Sequence, residues 1–293
     1  MKPLFQKIEF YITNVCNLTC DHCNRFNNFD FKGWQAWADY SHTYQQWSDL
    51  IDLRAITIMG GEPTLNPTLP DWIRGLNDVF GIEVQVLTNG TRLVQCRGLY
   101  DAIAESKPRN GGQNSLAVSL HNVNDLDRLR ADITEFLPGP VYENTHVPEQ
   151  WGSDWQFSDN NGVFVNVYLQ NKFETSSIRL LPNGARTLHN SNPVAAHRAC
   201  TQVKFKSYHF IKGSLYKCGP VALMPEFDQQ HPFDITDQDR QLLHSYTPLT
   251  VQNFEHYHQE FMTNLDQPLP QCKFCPEQKQ WYSIAPVRKG VLA

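Results

Sequence analysis

Residues 8–23 read IEFYITNVCNLTCDHC, and the order of events in this run sets the reading of everything after it. Ile8, Glu9, Phe10, Tyr11 and Ile12 carry the pattern of a strand. Three cysteines follow directly, Cys16, Cys20 and Cys23, separated by gaps of three and two residues. Three close thiols cannot complete a disulfide set among themselves. They are also one short of a structural zinc site closed by four protein ligands.

Composition bounds the classes open to the chain. At 293 residues it is long enough for one large domain, or a large and a small one. Hydrophobic residues make up 41% and charged residues 19%, which allows a sizeable core and argues against wholesale disorder. A net charge of −5 argues against nucleic acid as a partner. MKPLFQKIEF runs straight into the first strand, with no secretory signal and no run of 18 apolar residues anywhere. The expectation is a cytoplasmic protein without a membrane partner, where thiols stay reduced. Eight cysteines in that setting point to metal binding or catalysis.

Strand and helix patterns alternate from the first strand onward. An amphipathic helix is expected over 34–51, with Trp34, Trp37 and Trp47 packing from it. A short apolar run, 55–59, ends in GGEP, and a helix over 69–80 leads to a strand at 82–87 ending in TNG. A helix near 99–105 precedes the strand SLAVSL, 115–120, which ends at His121 and Asn122. Asn124 and Asp125 suit the cap of a fourth helix running to Phe136. Strands at 163–169 and 177–181 complete the rhythm, interrupted by a long loop over 138–161, either a lid or a solvated insertion. Repeated β-α units imply parallel strands with crossover helices, an α/β fold forming a partial (β/α)6 TIM-like barrel. The cysteine loop, GGEP, TNG and SLHN all fall at carboxyl ends of strands, where such folds gather their active sites.

Read alone, the first cysteine triplet suits either zinc with a distant fourth ligand or a cubane iron–sulfur cluster. With three cysteines, a [4Fe–4S] cluster keeps one iron available to a non-protein ligand. In this order and placement, Cys16-x3-Cys20-x2-Cys23, with His22 before the third cysteine, followed by Gly60-Gly61-Glu62-Pro63, resembles the radical S-adenosylmethionine (radical SAM) superfamily. The resemblance implies that Cys16, Cys20 and Cys23 bind a [4Fe–4S] cluster holding S-adenosylmethionine. It implies that the GGEP segment, Asn89 and Ser119 contact that cofactor, with Arg130 (or Arg128) on its carboxylate. Two glycines also allow close backbone approach, and a carboxylate suits a bound ammonium. The departure is His121-Asn122 after Ser119, where many relatives carry an acidic residue and Gly. The implied chemistry is reductive cleavage of S-adenosylmethionine to a 5′-deoxyadenosyl radical, with an electron from a flavodoxin- or ferredoxin-type donor.

Four more cysteines lie in the last third. Cys200-x12-Gly213-x4-Cys218 followed by Cys272-x2-Cys275 resembles the twitch domain, the short relative of the SPASM domain. A hairpin turning at Lys212-Gly213 is expected between Cys200 and Cys218. Four thiolates suffice for an auxiliary [4Fe–4S] cluster with every iron protein-ligated, and equally for zinc. The layout most resembles twitch-bearing dehydrogenases that oxidise a cyclitol alcohol to a ketone. Molybdenum-cofactor cyclases use three auxiliary cysteines and end in Gly-Gly, whereas this sequence ends RKGVLA.

The expected division is a barrel over 1–185 and a small α+β iron–sulfur domain over 186–293. The expected function is net two-electron oxidation of a small molecule, with an electron passed to the auxiliary cluster. The alternatives are crosslinking, thioether formation or epimerisation of a ribosomally made peptide, and a non-catalytic zinc or iron–sulfur module. Arg179, Glu174, His121 and His209 are the possible bases for a substrate hydroxyl. Cys96 lies outside both cysteine sets, either as a hydrogen-atom donor or as a small buried residue.

Overall fold

The apolar runs that alternate with helical patterns become parallel strands because each is buried and followed by a helix that returns the chain to the same end. A computed structural model describes residues 2–145, 153–284 and 286–288. The chain divides into two compact units. Of the described residues, one unit holds those up to Asn17 together with Lys32–Asn171, and the other holds Leu18–Phe31 with those from Lys172 onward.

In the first unit, Lys7–Tyr11, Ile56–Met59, Val84–Thr88, Ser115–Leu120 and Phe164–Leu169 lie side by side as parallel strands. Ile8 is paired with Ile56, Ile56 with Val84, Gln85 with Ser115, and Ser115 with Phe164. All four residues of Ile56–Met59 are buried, which explains a continuous apolar run in place of an alternating one. The crossovers are α1 (Trp37–Leu50), α2 (Leu69–Phe80), α3 (Leu99–Glu105) and α4 (Leu126–Phe136). This is the α/β architecture expected of a partial barrel.

Aromatic packing seats the first two helices. Trp37 stacks on Tyr44 at 5.9 Å and meets Trp72 edge-on at 5.2 Å, while Tyr44 meets Phe10 of the first strand at 5.2 Å. Gly75 of α2 makes this possible, since a Cβ there would lie 2.1 Å from the Trp37 ring. Burying side chains as large as Trp47 and Trp72 contributes about 2–3 kcal/mol each before entropy is counted. Trp34, expected to pack, is 50% exposed. It precedes α1 and bridges to Thr13 through the backbone, so no helix face carries it inward. Asp125 holds the expected N-cap position of α4 without a side-chain cap bond, and Asn122 caps the short turn (Val123–Asp125) before it, accepting from the Asn124 amide at 3.0 Å.

The segment 138–161 is not simply a loop. Tyr142–Asn144 pairs antiparallel with Trp155–Ser158, which pairs antiparallel with Phe164–Leu169. Residues 146–152 of that segment lie outside the described residues. The strand expected at 177–181 is also reassigned. Ile178–Leu180 pairs antiparallel with Arg186–Leu188 in a hairpin of the second unit, so the division falls after Asn171.

The second unit carries the hairpin Ser207–Ile211 and Ser214–Tyr216. Its turn is the expected Lys212-Gly213, both with positive φ (51° and 73°), the backbone that matches strand twist in a two-residue turn. Helices α5 (Pro193–Ala199), α6 (Thr201–Phe205), α7 (Gly219–Gln230), α8 (Asp237–His244) and α9 (Phe254–Asn264) make up most of the remainder. Phe227 of α7 gathers Phe26, Phe29 and Phe31, the residues following the cysteine loop, at 5.4–5.8 Å. Among the described residues no helix is long and apolar enough to cross a membrane.

Candidate functional site

The ends of the first three strands of the first unit are tied together by short polar side chains. The Gly61 amide donates to the Thr13 carbonyl at 2.7 Å and the Glu62 amide to Val15 at 2.8 Å. This approach requires glycine at position 60, where a Cβ would stand 2.5 Å from the Thr13 carbonyl oxygen. The side of Gly60 on which a Cβ would stand is filled by Thr13, just past the first strand.

Glu62 is 0% exposed. One carboxylate oxygen accepts from the Thr64 amide (3.1 Å), the Thr64 hydroxyl (2.6 Å) and the Thr88 hydroxyl (2.6 Å). The other accepts from the Asn89 amide at 2.7 Å. A buried carboxylate without donors is severely destabilising; four donors offset much of that. Burial still raises its pKa above the ordinary value of 4.5, against the lowering by Asn89, Thr64 and Thr88. Pro63 opens the turn that Glu62 caps.

The TNG segment reaches from this carboxylate to the cysteine loop. The Asn89 side-chain amide donates to Asn17 at 2.9 Å, the Asn17 amide donates to the Thr91 hydroxyl at 2.7 Å, and that hydroxyl donates back to Asn89 at 2.6 Å. Asn17 is the residue after Cys16. Asn17, Thr64, Thr88 and Thr91 were not singled out from sequence. The available signal was Asx- and Thr-turn chemistry in EPT (62–64) and TNGT (88–91), which is local and common. Cys96 stands close enough to feel this centre: burial first, then the charge of Glu62, pushes its thiol to about 11.

The fourth strand supplies Ser119, half-buried and in register with Tyr168. At its end, His121 Nδ1 lies 2.8 Å from the Gln170 carbonyl, and burial lowers its pKa, which favours a neutral ring donating from Nδ1. Arg130 differs from the expected carboxylate contact. Its guanidinium holds Glu143 at 2.8 and 3.0 Å and Asp127 at 3.0 Å, an i,i+3 partner and an adjacent strand residue on an exposed surface. Arg128 is paired likewise with Asp125 and Asp132.

In the second unit the rest of the cysteine loop turns tightly, the Cys23 amide donating to Cys20 at 3.2 Å and Phe26 to Cys23 at 3.2 Å. His22 takes a left-handed backbone (φ 61°), and its ring stacks on Tyr282 at 3.9 Å. Of the possible bases, Glu174 is bound by Lys279 at 2.5 Å and by Thr201 at 3.2 Å, Arg179 is exposed, and His209 is fully buried within its strand.

Cys200, Cys218, Cys272 and Cys275 act on one another. Burial, then the charges of Cys200, Cys275 and Cys272, pushes the Cys218 thiol well up. Burial, opposed by Ser177, and then Cys200 and Cys272 act the same way on Cys275, which rises to about 12. Donors stand at these sulfurs: the Leu269 amide is 3.4 Å from Cys272 Sγ, and the Ser177 hydroxyl is 3.5 Å from Cys275 Sγ. Cys218 occupies the N-cap position of α7. These cysteines are half-buried, three of them (Cys218, Cys272 and Cys275) are pushed up by burial and by neighbouring sulfur charge, and donors stand on two of the sulfurs, a donor set whose chemistry a thiolate-binding cationic centre would use. Among the described residues, no three His, Cys, Asp or Glu side chains stand in the geometry of a single metal ion's site. Three thiols within eight residues at Cys16, Cys20 and Cys23 likewise suit an iron-type centre by donor chemistry.

Residues 10–143 match the family model of the Radical SAM superfamily. The chain is 29% identical over 121 residues to a probable GTP 3′,8-cyclase of Sulfolobus acidocaldarius, covering 41% of this chain and 36% of that protein. It is 25% identical over 138 residues to a probable GTP 3′,8-cyclase of Methanothermobacter thermautotrophicus, covering 43% and 42%. The chain therefore spans less than half the length of these curated relatives. Among solved structures it is similar to BtrN in complex with AdoMet and 2-DOIA, with a TM-score of 0.51, 16% identity and 94% of each chain covered. At that identity the likeness describes the fold.

Proposed function

We propose that this chain, whose residues 10–143 form a radical SAM domain, is an oxidoreductase that acts on a small molecule with the help of a second, auxiliary cluster. The observation that carries the reading is the joining of the GGEP and TNG strand ends, through Glu62 and Asn89, to the residue after Cys16. When bound, a [4Fe–4S] cluster with S-adenosylmethionine supplies a 5′-deoxyadenosyl radical for hydrogen abstraction, and an auxiliary cluster supplies an electron acceptor.

In this reading Cys16, Cys20 and Cys23 hold the first centre. Gly60, Gly61, Glu62 and Pro63 position it by fixing the path of the loop. Asn89 orients that loop through Asn17. Ser119, half-buried at the next strand end, contacts the cofactor, and His22 lies within the cysteine loop, its ring stacked on Tyr282. Cys200, Cys218, Cys272 and Cys275 hold the second centre, and a flavodoxin- or ferredoxin-type protein is the electron donor. A neutral His121, its ring oriented by Gln170, suits the base that takes a hydroxyl proton. The similarity to probable GTP 3′,8-cyclases covers under half of those proteins and does not carry their substrate to this chain.

Anaerobic reconstitution with iron and sulfide tests this. About eight irons per chain, at four per cubane, with 5′-deoxyadenosine formed on reduction, is the expected result. Two zinc ions with no cleavage of S-adenosylmethionine would overturn it. Replacing Cys16, Cys20 and Cys23 by Ala should abolish cleavage, whereas replacing Cys272 and Cys275 should remove about four irons and leave some cleavage. Acceleration of turnover by small polyols supports the oxidase reading, and acceleration only by peptides would replace it with peptide modification.

A further inference from the structure

Lys217 is one of the few lysines in any fold to lose nearly all its solvent, being 5% exposed. Its ammonium has three N–H groups and finds three acceptors: the carbonyl oxygens of Asn264 (2.8 Å) and Gln267, and Nε2 of His197 at 3.3 Å. All three acceptors are uncharged. Accepting at Nε2 places the His197 proton on Nδ1 and keeps that ring neutral, and burial followed by the Lys217 charge lowers its pKa accordingly. Hydrogen bonds to neutral groups alone do not compensate a buried cation's charge, and the Asp266 carboxylate acts on it without bonding it.

The groups beside it that become anionic on binding a metal centre are the cysteines. Lys217 precedes Cys218 in the chain. His197 lies in α5, whose C-cap is Cys200, and the Cys200 amide bonds the His197 carbonyl at 3.1 Å. Asn264 and Gln267 begin the turn that runs to Cys272, whose sulfur faces the Leu269 amide in the same stretch. One ammonium therefore anchors the segments that deliver three of the four cysteines.

We propose that Lys217 is the fixed counter-charge of the four-thiolate site, setting the reduction potential of the centre held there as well as gathering its ligands. A positive charge beside an anionic, thiolate-ligated cluster stabilises the reduced state, which carries one more electron, and so raises the potential. The inference rests on the auxiliary-cluster reading above, and the experiment separates the two.

The full-length chain with Cys16, Cys20 and Cys23 replaced by Ala isolates the second site. In that background, iron content and an EPR-monitored redox titration are measured with Lys217 intact, with Lys217→Met and with Lys217→Arg. About four irons with Lys217 intact supports the cluster reading, and none would overturn that reading before Lys217 is addressed. The expected result is a more negative midpoint in Lys217→Met at unchanged iron content, with Lys217→Arg returning toward the starting value. Should Lys217→Met fail to hold iron while Lys217→Arg holds it, the charge is required and the proposal stands. An unchanged midpoint in Lys217→Met, or loss of iron in both variants alike, would reduce Lys217 to a structural tie.

Discussion

The most deeply buried carboxylate described in each unit is Glu62 in the first (0% exposed) and Asp228 in the second (4%), yet their proton affinities move in opposite directions. Glu62 accepts from four uncharged donors, and burial raises its pKa. Asp228 is also pushed up by burial, but hydrogen bonds from Arg240 and His244 outweigh that and lower it. The Arg240 guanidinium reaches both oxygens, His244 Nε2 stands 3.0 Å away, and the Phe233 amide donates at 2.9 Å. Burial is common to both, so the charge of the donors decides the sign. Uncharged donors hold a carboxylate in place, whereas cationic donors also fix its protonation.

The comparison breaks most visibly at Asp228. Asp228→Ala leaves the guanidinium and the imidazole around an empty site and should lower stability by about 3–4 kcal/mol, read by urea denaturation. The wild-type contribution is present above the ordinary carboxylate value of 3.8 and is lost as pH falls through the lower folded value. A loss under about 1 kcal/mol would mean that solvent already screens the pair.

Glu62→Ala should lower stability by about 3 kcal/mol, because the Thr64, Thr88 and Asn89 donors lose their acceptor. Glu62→Gln sharpens the sign. The stabilisation from Glu62's raised proton affinity is full below 4.5 and fades as pH rises through the folded value, opposite to Asp228. Urea midpoints measured across that window should lose this slope in Glu62→Gln, and a persisting slope would assign it elsewhere. The smallest effect is expected at Gly60→Ala, about 2 kcal/mol, from overpacking against a backbone that cannot move aside. A neutral result there would show that the first two strand ends can separate.

Much of the fold was legible because burial leaves a period in the sequence. The runs at 55–59 and 115–120 are apolar because a parallel strand covered on both faces has no polar side to show. Helices at 69–80 and 99–105 and the Lys212-Gly213 turn carry equally local signatures. The misreadings were of a different kind. The strand at 177–181 had the right pattern for a strand, but pattern does not name a partner, and Ile178–Leu180 pairs within a hairpin. The pairing of Arg130 with Glu143, thirteen residues on, likewise left no local pattern to read.

The amino-acid sequence by itself determined the alternation of strands and helices, the placement of the cysteine loop, GGEP and TNG at strand ends, and the grouping of eight cysteines into three, four and one. These follow from periodicity and spacing, which are properties of neighbouring residues. Only the tertiary structure decided that Glu62 faces four of its own chain's donors, that Asn17 completes the link to Cys16, and that Lys217 stands among three cysteine-bearing segments. Hydrogen-bond partners separated by dozens of residues are chosen by the path of the folded chain, and no local pattern records that choice.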